Sequence, residues 1–159
     1  MAYIYPAPGV TGSEVTLTLQ NSADTTNDDL VIAGLQDMTI NASNDVFTWE
    51  QLDSGSKFQI ATTATNSVAM NLVVDQTTFF GSGSTTSTDT ATNLGVFGMS
   101  SVKSKAEFSI FLGKTDAGGA GKTISGEGYI TGLAPTTSAG EPVWVTPITI
   151  TVVGDYTIA

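Results

Sequence analysis

The chain reads as an all-β protein: an antiparallel β-sandwich or barrel-like sheet with one short flanking α-helix. Three observations predict this. Apolar and polar residues alternate with period two from end to end, the pattern of strands buried on one face. Thr and Val dominate where a helical protein would carry Ala, Leu, Glu and Lys. Short clusters of Asn, Asp, Ser and Gly, drawn in part from 17 glycines, separate the alternating runs. A chain of 159 residues fits one domain, 1–159, and folding at that size buries ~70% of the unfolded surface. No internal repeat is visible.

Residues 1–13 form an N-terminal arm ahead of the first strand, Glu14–Gln20, where Val15, Leu17 and Leu19 face one way and Glu14, Thr16 and Thr18 the other. Gln36–Ala42 sets Met38 and Ile40 against Asp37 and Thr39, and Asp45–Gln51 sets Phe47 and Trp49 against Val46, Thr48 and Glu50. Lys57–Thr63 and Ser67–Asp75 continue the series, the latter with Val68, Met70, Leu72 and Val74 on one face. Asn44-Asp45 and Asp53-Ser54-Gly55-Ser56 have hairpin-closing composition, so 36–75 reads as an antiparallel meander.

The stretch 76–93 contains the Ser-, Thr- and Gly-rich run 81–90, which has no period and almost no side chain for a core. It reads as a long loop of the kind that orders against a neighbouring molecule. A short helix spans Ala91–Val102 with Leu94, Phe97 and Met99 or Val102 inward, weakened by Gly95 and Gly98. Three strands follow: Lys105–Leu112, Lys122–Thr131 and Val143–Val153. Pro147 cannot donate to a ladder, which places the last of them at an edge or a bulge. The total is about eight or nine strands.

Charge is sparse and one-sided, with 15 acidic residues, five Lys, no Arg and a net charge of −10. Apart from Lys103 and Lys105, no basic residues cluster, so tight phosphate binding is disfavoured. The acidic balance also suits a salt-rich setting. Without Cys there are no disulfides and no thiolate metal sites. The N-terminal Met1-Ala2-Tyr3-Ile4-Tyr5-Pro6 lacks the features of a signal peptide, and no apolar run approaches the ~20 residues of a membrane span. The expectation is a product made and assembled in the cytoplasm with no membrane insertion.

Catalysis has little to draw on, because the chain also lacks His. Acid pairs such as Asp28-Asp29, or Glu107 with Glu127, satisfy the minimum for two-carboxylate glycoside hydrolysis, but solvated acids on strand faces and turns are the more economical reading. Ala120-Gly121-Lys122-Thr123 imitates the end of a phosphate loop, yet Asp116 stands where the motif needs its first Gly. The run 24–29 has oxygen ligands but neither the Gly nor the closing Glu of a calcium loop. The expectation is no enzyme activity, no cofactor and no metal.

The order of elements says more than any motif. Ile32–Leu35 leads into Asp37-Met38-Thr39-Ile40, then 45–53, Phe58-Gln59 and the strand 67–72. Later come 106–110, Gly126-Glu127-Gly128-Tyr129-Ile130-Thr131, a loop ending Gly140-Glu141-Pro142, and a Thr-rich terminal strand running to Gly154-Asp155. Over nearly the whole chain this order resembles the major tail tube proteins of long-tailed, siphovirus-type phages and related archaeal tailed viruses.

The resemblance implies a tail tube fold whose subunits form rings, commonly hexameric, that stack into a hollow virion tail tube for genome delivery. Sheets of adjacent subunits join edge to edge around the lumen. The implied partners are other copies of the chain, other tail proteins at the tube ends, and DNA that passes without being held. The meander 36–75 is then the lumen sheet, with Asp37, Asp45, Glu50 and Asp75 as lining candidates. The N-terminal arm and the 76–93 loop bridge stacked rings, through Tyr3, Tyr5, Phe79, Phe80, Gly81 and Gly83. The competing reading is a virion decoration or cell-surface immunoglobulin-like binding module.

Overall fold

In a computed structural model the described residues are 4–6, 15–32, 34–115 and 121–159. They form eleven strands and one helix: β1 Ile4–Tyr5, β2 Thr16–Asn21, β3 Leu30–Val31, β4 Leu35–Asn41, β5 Asn44–Gln51, β6 Ser54–Thr63, β7 Ser67–Val73, α1 Ala91–Ser101, β8 Ala106–Phe111, β9 Lys114–Thr115, β10 Thr123–Leu133 and β11 Val145–Ile158. Three of the strands are only two residues long, so eight carry the architecture, as the alternation predicts. Most of Tyr5's neighbours in the N-terminal arm, Tyr3 among them, lie outside the described residues.

Seven strands make one antiparallel sheet in the order β3-β2-β8-β10-β11-β7-β4, curled into a half-barrel. Its apolar face is built by the period-two residues: Leu17 and Leu19 of β2, Phe108 and Ile110 of β8, Ile148 and Ile150 of β11, Val68, Met70 and Leu72 of β7. Helix α1 packs Leu94, Val96 and Met99 onto this face near β10, β2 and β3. Each fully buried aliphatic side chain contributes about 1.5–3 kcal/mol.

The expected meander does not form. β4 skips the next two strands and pairs with β7, with Met38 opposite Met70 and Ile40 opposite Val68. β5 and β6 instead pair only with each other, as a separate hairpin closed by Leu52-Asp53 between Gln51 and Ser54. Period two states that a segment is extended but not which strand lies beside it, so the partner exchange was invisible in the pattern.

Pro147 is in the sheet interior, with β11 between β10 and β7. Val74 N–H donates to the Trp144 carbonyl, which turns the backbone polar groups of residues 144 and 146 toward β7 and those of 145 and 147 toward β10. On that side the ladder is broken after the Leu133–Ile148 pairing, and Ala134 N–H donates to Thr146 Oγ1 instead. The proline therefore occupies a gap beside a β10 bulge rather than an edge.

The 76–93 segment also departs from expectation, because it orders within its own chain. Phe79 is fully buried in the core, Thr78 is buried, and Asn21 Nδ2 donates to the carbonyls of Ser87 (2.9 Å) and Asp89 (2.7 Å). Helix α1 starts at the Thr90 N-cap, whose side chain accepts from Asn93 N–H, and breaks at Gly95 (φ 66°, ψ 176°). There Val96 and Phe97 N–H donate to the carbonyls of Thr78 and Phe79, stitching helix to loop. The break resets the helical phase, so Val96 points inward and Phe97, expected inside, is 47% exposed.

Candidate assembly surfaces

The side of the sheet opposite the core is open to solvent and polar. The alternate positions place Thr16, Thr18 and Gln20 of β2, Glu107 and Ser109 of β8, and Glu127 of β10 on that side, with Thr149 and Thr151 of β11 and Asp37 and Thr39 of β4 continuing it. Glu107 and Glu127 stand directly opposite in the β8–β10 ladder. Lys105 Nζ meets Glu127 Oε2 at 2.6 Å, and the ammonium is held charged above its usual pKa chiefly by that hydrogen bond. Gln20 Nε2 donates to Asp29, beside the same shallow groove of about 480 Å³ that Glu107, Ser109, Ser125 and Glu127 line. The acid pair thus lies on an open sheet, compensated by a lysine. Of the Asp28-Asp29 pair, the Asp29 carboxylate accepts from Gln20, and the Asp28 backbone N–H donates to Asp24.

Among the described residues both sheet margins are incomplete. β4 offers a seven-residue outer edge, and at the other margin β3 pairs with Thr18 and Leu19 of the six-residue β2, with Ile32 N–H donating to the Leu17 carbonyl just beyond it. Unpaired N–H and C=O groups in such margins are templates for another strand.

The four expected lining acids do not converge. Asp37 lies on the polar face of β4, where its carboxylate accepts from Asn71 N–H (3.1 Å) and Asn71 Nδ2 (3.0 and 2.9 Å). Asp45 and Glu50 are on opposite faces of the β5–β6 hairpin, Glu50 in an exposed ion pair with Lys57 at 3.5 Å. Asp75 follows β7 and closes a turn: partial burial pushes its carboxyl up, but hydrogen bonds from the Thr78 hydroxyl and the backbone outweigh this and hold it below the ordinary 3.8. Glu107 and Glu127, considered from sequence only as a catalytic pair, are the acids that share the sheet face with Asp37. Their strand alternation was the signal.

Of the stacking candidates, Phe79 has no surface to offer another molecule. A Cβ on Gly81 would lie 2.5 Å from the Asn93 carbonyl oxygen, so that glycine serves loop–helix packing within the chain. Phe80 is 48% exposed, and Gly83 faces open space. Tyr5 joins β1, which pairs with β9 through Lys114. Among the described residues no helix is long and apolar enough to cross a membrane, and no group of three or more acidic side chains is placed to hold a metal ion.

An open curled sheet with a flanking helix and a polar face is a fold that the chain shares with proteins of tail and injection-system assemblies. It is similar over almost its full length to a chain of an extracellular contractile injection system, the PVC sheath-tube complex in the extended state: TM-score 0.58 and 15% identity, covering 98% of this chain and 92% of that one. A chain from the tail of an empty GTA particle, with C6 symmetry, gives TM-score 0.60 and 14% identity over 91% of this chain and 95% of that one. A chain of the anti-feeding prophage baseplate gives 0.56 and 10% over 96% of each. No protein-family model and no curated protein matches the chain.

Proposed function

We propose that this protein is the repeating subunit of a tail tube, closing into rings, hexameric by analogy with the C6 tail it resembles, that stack around a channel through which a genome passes. The observation that carries the reading is the pair of unfinished margins, β4 and the β2–β3 side, at opposite ends of one curled sheet. An edge at each end lets each copy complete the next, and a heterologous contact that closes gives a ring without free ladders. The polar face with Asp37, Glu107 and Glu127 then lines the channel, where carboxylates give phosphate nothing to hold. Exposed Phe80 and Gly83 contribute to ring stacking, as does the N-terminal arm.

Negative-stain electron microscopy of the purified chain tests the assembly: annular particles or filaments are expected. A chain that stays monomeric at high concentration across ionic strengths overturns the reading. For the channel, wild-type tubes should retain no DNA in a filter assay at low salt, whereas tubes of Glu107→Lys/Glu127→Lys should retain it. Equal retention would remove these acids from the lining.

A further inference from the structure

Among the described residues, the extensive contacts of the β5–β6 hairpin are all between its own two strands. Its register puts Phe47 opposite Ile60 and Trp49 opposite Phe58, all on one face, with Glu50–Lys57 and Thr48–Gln59 on the other. The three rings stack along that face, with centroids 6.0 Å apart from Phe47 to Trp49 and 5.7 Å from Trp49 to Phe58. Yet the ladder is bare: Phe47 is 60% exposed and Ile60 56%, and the tip residue Leu52 is fully exposed. A lone two-stranded hairpin is marginal in water, and single exposed apolar residues are ordinary, but a contiguous aromatic ladder on a projecting hairpin is the signature of a binding face.

Among the described residues the same chain carries a matching apolar cleft. The curl of the sheet brings β4 toward the start of β2 and the end of β8, so that Leu35, Met38 and Ile40 face Val15, Leu112 and Ile4 across an apolar cleft of about 640 Å³. The cleft runs along β4, whose outer edge pairs with no other described strand.

We infer that the aromatic face of the β5–β6 hairpin of one copy seats in the β4 cleft of a second copy of this chain. Knob and hole lie at different places on one molecule, so the contact is heterologous and propagates rather than ending at a dimer. Size points the same way. At ~200 Å² per aromatic side chain the bare part of the ladder is roughly 300 Å², well short of the ~800 Å² per partner of a standard interface. It therefore works only where each copy both gives a hairpin and receives one alongside edge pairing. The inference rests on the tube-subunit reading and specifies which surfaces that assembly joins.

The absence of native Cys permits a direct test. A chain carrying both Ile60→Cys and Met38→Cys, assembled and then oxidised, should give a ladder of covalent oligomers. A mixture of the two single variants should give covalent dimers and nothing larger. Dimers from the Ile60→Cys variant alone would mean hairpin-to-hairpin pairing, and an intrachain link in the monomer would mean that the hairpin folds onto its own cleft; either overturns the inference. As a readout that leaves the ladder intact, Trp144→Phe keeps Trp49 as the sole tryptophan, and its emission should shift to the blue on assembly. Assembled particles with no cross-link and no shift overturn the docking while leaving the tube reading standing. Failure of every variant and the wild type to assemble overturns both.

Discussion

Gly95 combines φ 66° with ψ 176°, a region that only glycine occupies without strain, and a Cβ there would sit 2.6 Å from both Gly81 N and the Phe79 carbonyl oxygen. Gly95→Ala should therefore prevent soluble expression or leave a protein without a cooperative melting transition. Gly83→Ala, which meets open space but also has positive φ, should cost only about 1 kcal/mol, the two compared by calorimetry. Asn21 is a second single point of failure. It is buried, donates to the carbonyls of Ser87 and Asp89, and accepts from Ala23 N–H, so it tethers the Ser/Thr-rich loop to the end of β2. Asn21→Leu leaves those groups unpaired and should cost about 2–3 kcal/mol, a Tm lower by roughly 5–10 °C in thermal denaturation. Asp75 links stability to pH. Its pKa is depressed in the folded chain, so it binds protons less readily there than when unfolded, and its stabilisation is present above about pH 4 and fades as acid protonates the folded form. Asp75→Asn should be less stable than wild type at pH 7, with the gap closing as the pH falls through that range in urea titrations.

Between strands, the β8–β10 ladder carries a built-in repulsion, because Glu107 and Glu127 face each other directly and like charges in that position oppose pairing. Lys105, one residue before β8, offsets it through Glu127. Lys105→Ala should lower Tm at low salt and recover at high salt as screening replaces the ammonium, and adding Glu107→Gln should restore Tm at low salt as well. An unchanged Tm in Lys105→Ala would show that solvent already screens the acid pair. The register that creates this contact was half legible: alternation in Ala106–Phe111 put Glu107 on the polar side, but nothing in either strand announced that the other lay opposite. The same gap explains the hairpin. Residues 45–63 alternate as clearly as their neighbours, yet whether they extend a meander or leave the sheet depends on β4 pairing with β7.

For the molecule as a whole, a net charge of −10 opposes bringing copies together, while in the proposed assembly edge hydrogen bonds and the apolar cleft would favour it. Salt shortens the Debye length from ~30 Å at 0.01 M to ~3 Å at 1 M and leaves apolar contacts in place. Assembly followed by light scattering should therefore be slow at low ionic strength and faster as salt rises. Inhibition by salt would mean that ion pairs hold the copies together. The curl is a property of all seven strands at once. It is closed at one point by Tyr156, whose hydroxyl donates toward the carbonyls of Asn41 (2.7 Å) and Ser67 (3.1 Å) from a strand that runs five residues beyond its expected end.

Local pattern was enough to establish the all-β class, the eight long strands, the position of the helix and the poverty of catalytic groups, because side-chain alternation, turn chemistry and composition are written within a few neighbouring residues. Strand order, the seating of Pro147 in an interior gap, the burial of Phe79, the detached hairpin and the cleft at β4 were settled by contacts between segments far apart in the chain. Each depends on which extended segment pairs with which, and the burial gained by one pairing over another is a sum over the whole core that no single stretch encodes.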